Sequence, residues 1–290
     1  MPTRKLGTPR ILGFSLLLVI AASPLHAARQ STEIASPERT FIGQNGNPLP
    51  FKNDAEVTEF LLNANVIDES TIGSGINRSQ KVLLERDGVR ANAIFRETDQ
   101  TERGIRVGGV FYRLFRDSYL FEPAAYQLAL LLGITNIPPA ERRRVDGRDG
   151  SMQIWIEDVL DEDDKERFKP PSISAWVRQI RDMILLDNLI YNVDRNSGNI
   201  LVTPDYRLVM IDHTRGFQEK IAIMNPQRFN LVNEDTWEKF QNLTDDAIRD
   251  AVRPYLSPQE TNPLLRRHGI IIEYVEGLIR DRGRVAVVLP

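Results

Sequence analysis

The chain of 290 residues has no cysteine, three histidines and little excess charge of either sign, with 40 acidic side chains against 37 basic ones. Without cysteine there is no disulfide, no thiolate metal site and no cysteine nucleophile. His26, His213 and His268 stand far apart and offer no metal-binding spacing. No basic stripe interleaved with aromatic residues is present, which argues against nucleic acid as a partner. Long apolar runs are also missing. Ile11 to Ala22 has 12 residues, far short of the about 20 that a spanning helix needs, and nothing later comes nearer, so no stable membrane span is expected. What is present is an ordinary globular balance, 41% hydrophobic and 27% charged with 18 Gly and 17 Pro, and no repeat of fixed period.

The short apolar run has a context. Arg4, Lys5 and Arg10 precede it, and Pro24-Leu25-His26-Ala27 follows with a small residue at a cleavage point. This is the pattern of a secretory signal, so residues 1–27 are expected to be a signal peptide and the protein to be exported, to a periplasm, the medium or the lumen of a secretory pathway. Cleavage would remove three cations and no acid, taking the formal charge from -3 to -6. Residues 28–52, rich in turn formers around Gln44-Asn45-Gly46-Asn47-Pro48, read as a linker or surface strap.

Beyond it, Asn53 with Glu56 three residues on suggests a capping box, and Val57, Phe60, Leu61 and Ala64 recur at helical spacing to about residue 65. Lys81–Glu85 and Arg90–Arg96 flank an Asp87-Gly88 hairpin turn, and Arg106–Phe115 reads as a third strand. Pro123 suits the first position of a helix that Gly133 stops, which puts Glu122 at its start. Gly150–Ile156 reads as a further strand, and the charged stretch Asp158–Pro171 as a solvated connection. A core helix follows over Trp176–Tyr191, then strands over Ile200–Val202 and Arg207–Ile211, then helices over about 234–252 and 260–282. Strands first and helices afterwards make an α+β plan with two lobes, 53–156 and 157–290.

The polar residues that carry chemistry lie between Asp187 and Phe217. Asp194 and Asn199 occupy the loop that leaves the core helix, and the hairpin after Asn199 returns the chain so that Asp212 ends beside it. Phosphoryl transfer asks for this set. A carboxylate orients the attacking hydroxyl, while a carboxamide and a second carboxylate hold the divalent ion that bridges the phosphates. Asp194 fits the first role, and Asn199 with Asp212 the second. The D-x-x-x-x-N spacing equals that of a kinase catalytic loop, with Arg195 after the aspartate in place of the usual His-Arg before it. Asp187 is placed to hold the shape of that loop, and His213 reads as a packing residue. Gly73 and Gly75, in Ile72-Gly73-Ser74-Gly75-Ile76-Asn77, precede the first hairpin strand, where a phosphate-cradling loop belongs.

These residues resemble a known family. Asn192-Val193-Asp194-Arg195 with Asn199, then Ile211-Asp212 and Arg215-Gly216-Phe217, is similar to the active-site stretch of the secretory-pathway atypical kinases, the Golgi casein kinase and Four-jointed group. The loop ending in Asn199 also resembles HipA and the phosphatidylinositol 4-kinases. Glu122-Pro123-Ala124-Ala125-Tyr126-Gln127-Leu128 is similar to the family's helix carrying a metal- or nucleotide-facing glutamate. The resemblance spans roughly residues 70–220 in preserved order.

It implies a two-lobed atypical kinase fold, ATP with Mg²⁺ or Mn²⁺, and transfer of the γ-phosphoryl group to a hydroxyl of protein Ser/Thr or of a small molecule. It implies Asp194 as the catalytic carboxylate, Asp212 and Asn199 as metal ligands, and Glu122 near the metal or phosphates. The family's Ala-x-Phe-Lys strand end is here Ala93-Ile94-Phe95-Arg96. The phosphate-binding cation is therefore Arg96, which replaces a compact ammonium by a planar guanidinium, or else Lys81 on the partner strand. That replacement leaves a second expectation open, a pseudokinase that binds nucleotide or a partner without turnover.

Overall fold

A computed structural model describes residues 38–72, 79–161 and 169–290. The expected signal peptide, Gly73, Gly75 and the middle of the interlobe connection lie outside the described residues. Asn53 opens the first helix as expected, its side chain accepting the Glu56 N–H, and α1 runs Asp54–Asn63. The reciprocal bond of a capping box is not made, because the Glu56 carboxylate takes the N–H of Lys52 instead. The stripe Val57, Phe60, Leu61 and Ala64 is fully buried.

Strands β1 (Asn65–Thr71), β2 (Ser79–Arg86) and β3 (Val89–Arg96) follow. The Asp87-Gly88 turn has φ of 53° and 78°, the double positive φ of a type I′ hairpin. Next, β4 (Asp99–Val107) and β5 (Val110–Ser118) form a separate two-stranded hairpin. The single strand expected over Arg106–Phe115 is thus corrected. It runs through a turn made by Gly108 and Gly109, whose φ values of 56° and 80° make a second tight reversal.

Helix α2 (Phe121–Leu132) ends at Gly133, left-handed at φ 68°. It starts two residues before Pro123, which therefore lies third in the helix and not first. The first-turn N–H groups are unpaired within the helix, so the proline still loses nothing there. Strands β6 (Ala140–Val145) and β7 (Arg148–Ile154) complete a five-stranded antiparallel sheet in the order β1-β2-β3-β7-β6. Sequence reading passes over β6 because Arg142, Arg143 and Arg144 mask its alternation, and charge of this kind is characteristic of an edge strand. Arg143 also works structurally, donating to the carbonyls of Leu61 and Ala64 at the end of α1.

The second half holds α3 (Ile173–Ile190), the short strands β8 (Ile200–Val202) and β9 (Leu208–Met210), and β10 (Val232–Asn233). Helix α4 (Glu234–Asn242), α5 (Asp245–Val252), α6 (Pro258–Arg282) and β11 (Val288–Leu289) follow, with β11 parallel to β10. The expected helix over 234–252 divides because Thr244 caps a new start, accepting the Ala247 N–H.

Two apolar cores result. Phe60, Leu61, Val82, Leu84, Phe95 and Met152 pack α1 on one face of the sheet. Phe121, Leu128 and Leu132 of α2 join Leu186, Leu189, Met210, Phe240 and Leu264 in the core of the helical half. The α+β, two-lobed arrangement is as read from the order of elements. Helix α2 thus ties the helical core to the sheet, and the chemistry-bearing residues gather along that tie.

Candidate active site

Helix α3 stops because Tyr191 takes the left-handed conformation at φ 51°. Its last turn carries the buried Asp187, whose carboxylate accepts Nδ2 of Asn192 at 3.1 Å and Nε and Nη2 of Arg195 at 3.0 Å each. Asp187 therefore does hold the loop, and does so through side chains. Arg195 uses every N–H of its guanidinium. Besides Asp187 it reaches the carbonyls of Asn199 and Ile211 at 2.8 and 2.9 Å and Nε2 of His213 at 2.9 Å. One cation thus joins α3, the loop, and the strand end before Asp212.

Within the loop the Asp194 N–H donates to Asn192 Oδ1 at 3.2 Å, and Asn199 Nδ2 donates to the Asp194 carbonyl at 2.7 Å. The Ile211 N–H donates to the Asn199 carbonyl at 3.2 Å, so the hairpin does return Asp212 beside Asn199. Asp212 sits at φ 58°, a position that L residues rarely hold, and its Oδ1 accepts Thr214 Oγ1 at 3.0 Å. Asn199 spends its nitrogen on the loop, which leaves its amide oxygen as the metal-capable atom. Among the described residues no three His, Asp or Glu side chains form a metal cage. One carboxylate and one amide oxygen fit instead a hard cation that arrives with phosphates and keeps part of its water.

Glu122 is fully buried and meets protein donors at both oxygens. Oε1 accepts Gln153 Nε2 at 2.7 Å and faces His213 Nδ1 at 2.9 Å; Oε2 accepts the His213 main-chain N–H at 2.8 Å. Burial alone would raise the Glu122 carboxyl. The His213 imidazole, the Arg96 charge and the main-chain N–H outweigh it and hold the group well below the usual carboxylate range. His213, read as packing, is buried and also the link between Glu122 and Arg195, which no sequence signal beyond its adjacency to Asp212 announces.

The two candidate cations separate. Arg96, at the end of β3 and 5% exposed, places Nη1 3.4 Å from Gln153 Oε1 and acts on Glu122. Lys81 lies on β2 opposite Ile94, with Nζ 4.3 Å from the Trp155 ring centroid and 3.6 Å from Glu157. Arg96, and not Lys81, is thus brought to the helix glutamate. Arg96 lines a cavity of about 110 Å³ together with Gln153 and an apolar wall of Ile94, Trp155, Ile156, Leu201 and Ile211, whereas Lys81 meets only the Trp155 ring of that wall. The apolar wall is missed in sequence reading. Ile94 shares the strand face of Arg96 and Ile211 precedes Asp212, a signal legible only once both polar residues are assigned.

Arg215 stands between three carboxylates. Nε is 2.9 Å from Asp117 Oδ2 on β5 and Nη1 is 3.4 Å from Asp194 Oδ2. The hydrogen bond to Asp117 outweighs burial and, with the charges of Asp117, Asp194 and Asp212, raises the guanidinium further above its ordinary value.

No family model matches the chain and no curated protein matches it. Solved structures do. A hydra Fam20 determined with sugar superposes with a TM-score of 0.61 at 13% identity, over 81% of this chain and 92% of that one. The Golgi casein kinase with Mn/ADP bound gives 0.58 at 14% identity, over 81% and 78%. The two-lobed α+β fold of this chain is the kinase-like fold of Fam20 and the Golgi casein kinase, the group that its segments Asn192–Asn199 and Ile211–Phe217 resemble.

Proposed function

We propose that the chain is an ATP-dependent phosphotransferase acting on hydroxyl groups, with protein Ser/Thr first and sugar or other small-molecule hydroxyls second. One observation carries the reading. Arg96 and Gln153, which reaches Glu122, line the same apolar cavity as Ile211, the residue before Asp212, and Arg195 ties the Ile211 and Asn199 carbonyls to the loop that carries Asp194. The apolar cavity suits a flat purine, with Arg96 in its wall to meet the phosphates. The Mn/ADP of the Golgi casein kinase and the sugar of the hydra protein supply the cofactor and the second acceptor class.

In this reading Asp194 orients the acceptor hydroxyl and takes its proton as the oxygen bonds to the γ-phosphorus. The bond to the β–γ bridging oxygen breaks and ADP leaves. Asp212 and the Asn199 oxygen would hold a divalent ion, whose chemistry there would be charge neutralisation. Arg96 faces the phosphates, with Lys81 beside Trp155 as the alternative cation and Gly73 and Gly75 as the cradle. Glu122 acts through the groups it holds, setting Arg96 and the Asp212 turn in place. Domain boundaries at 53–156 and 157–290 put the cleft between the lobes, and residues 1–27 would export the protein.

A binding-only pseudokinase is the second reading, favoured by arginine at position 96. The nucleotide site itself is tested by thermal melting with ATP and Mn²⁺ or Mg²⁺. Ligand at 100 times its Kd stabilises by about 2.7 kcal/mol, roughly 5–10 °C for a protein of this size. The shift is expected to need metal and to vanish in Asp212→Ala. No shift with either metal would contradict the site.

A further inference from the structure

Among the described residues the hairpin β4–β5 pairs with no other strand, yet it is bound edge-on to the segment that follows Asp212. Ser118 N–H donates to the Thr214 carbonyl at 2.8 Å. The Gln218 side chain exchanges two hydrogen bonds with the Arg116 backbone, at 3.2 and 2.7 Å, and Glu219 Oε1 accepts the N–H groups of Arg113 and Leu114 at 2.7 and 3.3 Å. Side chains here do what a partner strand would do. On the same ledge Asp117 is buried, and among the described residues its Oδ1 has no hydrogen-bond partner and its Oδ2 is met by Arg215. An orphaned buried carboxylate oxygen is costly for stability. What that arrangement secures is the direction of Arg215, fixed at Nε while Nη1 reaches Asp194 Oδ2.

We infer that Arg215, tethered by Asp117, is a positioning residue that fixes the orientation of Asp194 toward the acceptor hydroxyl and so couples the β4–β5 hairpin to the phosphoryl-transfer step. The inference rests on the proposed kinase reading and deepens it. Arg215 meets Oδ2 of Asp194 while Asn196 Nδ2 donates to Oδ1 at 3.4 Å, so the carboxylate is held in one geometry from both sides, with the remaining lone pairs left for the hydroxyl. The planar guanidinium suits this double duty, because one edge grips Asp117 while the other end meets Asp194; an ammonium has no such fork.

The test measures ADP formation and acceptor phosphorylation in the full-length protein for wild type, Arg215→Ala, Arg215→Lys and Asp117→Asn, with melting curves for each. Arg215→Ala is expected to lower kcat on the order of 10²-fold with the KM for ATP unchanged. Arg215→Lys should recover a minor part of the loss, and millimolar guanidinium added to Arg215→Ala should recover more. Asp117→Asn should lower kcat in the same direction without responding to added guanidinium. Wild-type kcat in Arg215→Ala would overturn the inference. So would a loss that follows melting temperature and resists guanidinium, since that marks a structural role only. If wild type itself forms no ADP, the kinase reading fails, an outcome distinct from active enzyme that ignores Arg215.

Discussion

At the scale of single residues, Arg195 and Glu122 are the two anchors on which the site geometry depends, and neither needs to touch a ligand. Arg195 satisfies Asp187, two carbonyls and His213 with one guanidinium. Lysine has a charge but no fork, so Arg195→Lys leaves buried acceptors unpaired, at about 1–3 kcal/mol for each such group. A loss of about 2–3 kcal/mol in urea unfolding is expected; a change within 0.5 kcal/mol would contradict the anchor role. Glu122 has a pH signature. Its folded carboxyl is depressed, so the unfolded chain binds the proton first, and its stabilising contribution is present above the ordinary value of 4.5 and lost as pH falls below it. Glu141 and Asp182, raised mainly by burial, act in the opposite sense. The comparison that isolates Glu122 is therefore Glu122→Gln against wild type. The variant should melt lower at pH 7, and the gap should narrow as pH drops below 4.5; a constant gap from pH 7 to pH 3 would contradict the assignment.

At the scale of elements, legibility in the sequence follows from how local the cause is. Asp87-Gly88, Gly133 and the stripe of α1 announce themselves because turn chemistry and periodicity act within a few residues. Asp194, Asn199 and Asp212 are legible for the same reason, as polar residues at fixed spacing around a hairpin. The Gly108-Gly109 reversal passes unread because apolar residues on both sides mimic one strand, and β6 because three arginines cover its pattern. The pairing of Glu122 with His213 spans 91 residues in sequence, and the Asp117–Arg215 contact spans 98. Only the tertiary fold brings such groups together. Gly150 on β7 shows the same dependence, since a Cβ there would lie 2.5 Å from the Arg96 carbonyl and from the Phe95 ring. Gly150→Ala is expected to cost about 1–3 kcal/mol by overpacking and to disturb Arg96 above it. A melting temperature equal to wild type would contradict the close packing.

At the scale of the whole molecule, the sheet lobe contributes Arg96 and the cavity roof, the helical lobe contributes Asp194, Asn199 and Asp212, and α2 joins the two through Glu122. The fold places Arg96 and Ile211, the residue before Asp212, on one cavity, with Glu122 reached through Gln153. The most direct test of the central claim is the conversion of ATP to ADP with Mn²⁺ or Mg²⁺ by wild type and by Asp194→Ala, each checked for its nucleotide-induced melting shift. Wild type is expected to turn over, and Asp194→Ala to lose about 10²–10⁴-fold in rate, the worth of a positioned general base, while keeping the shift. Equal rates in the two proteins would contradict Asp194 as the catalytic carboxylate, and a shift without turnover in wild type would make the chain a nucleotide-binding protein and not a kinase.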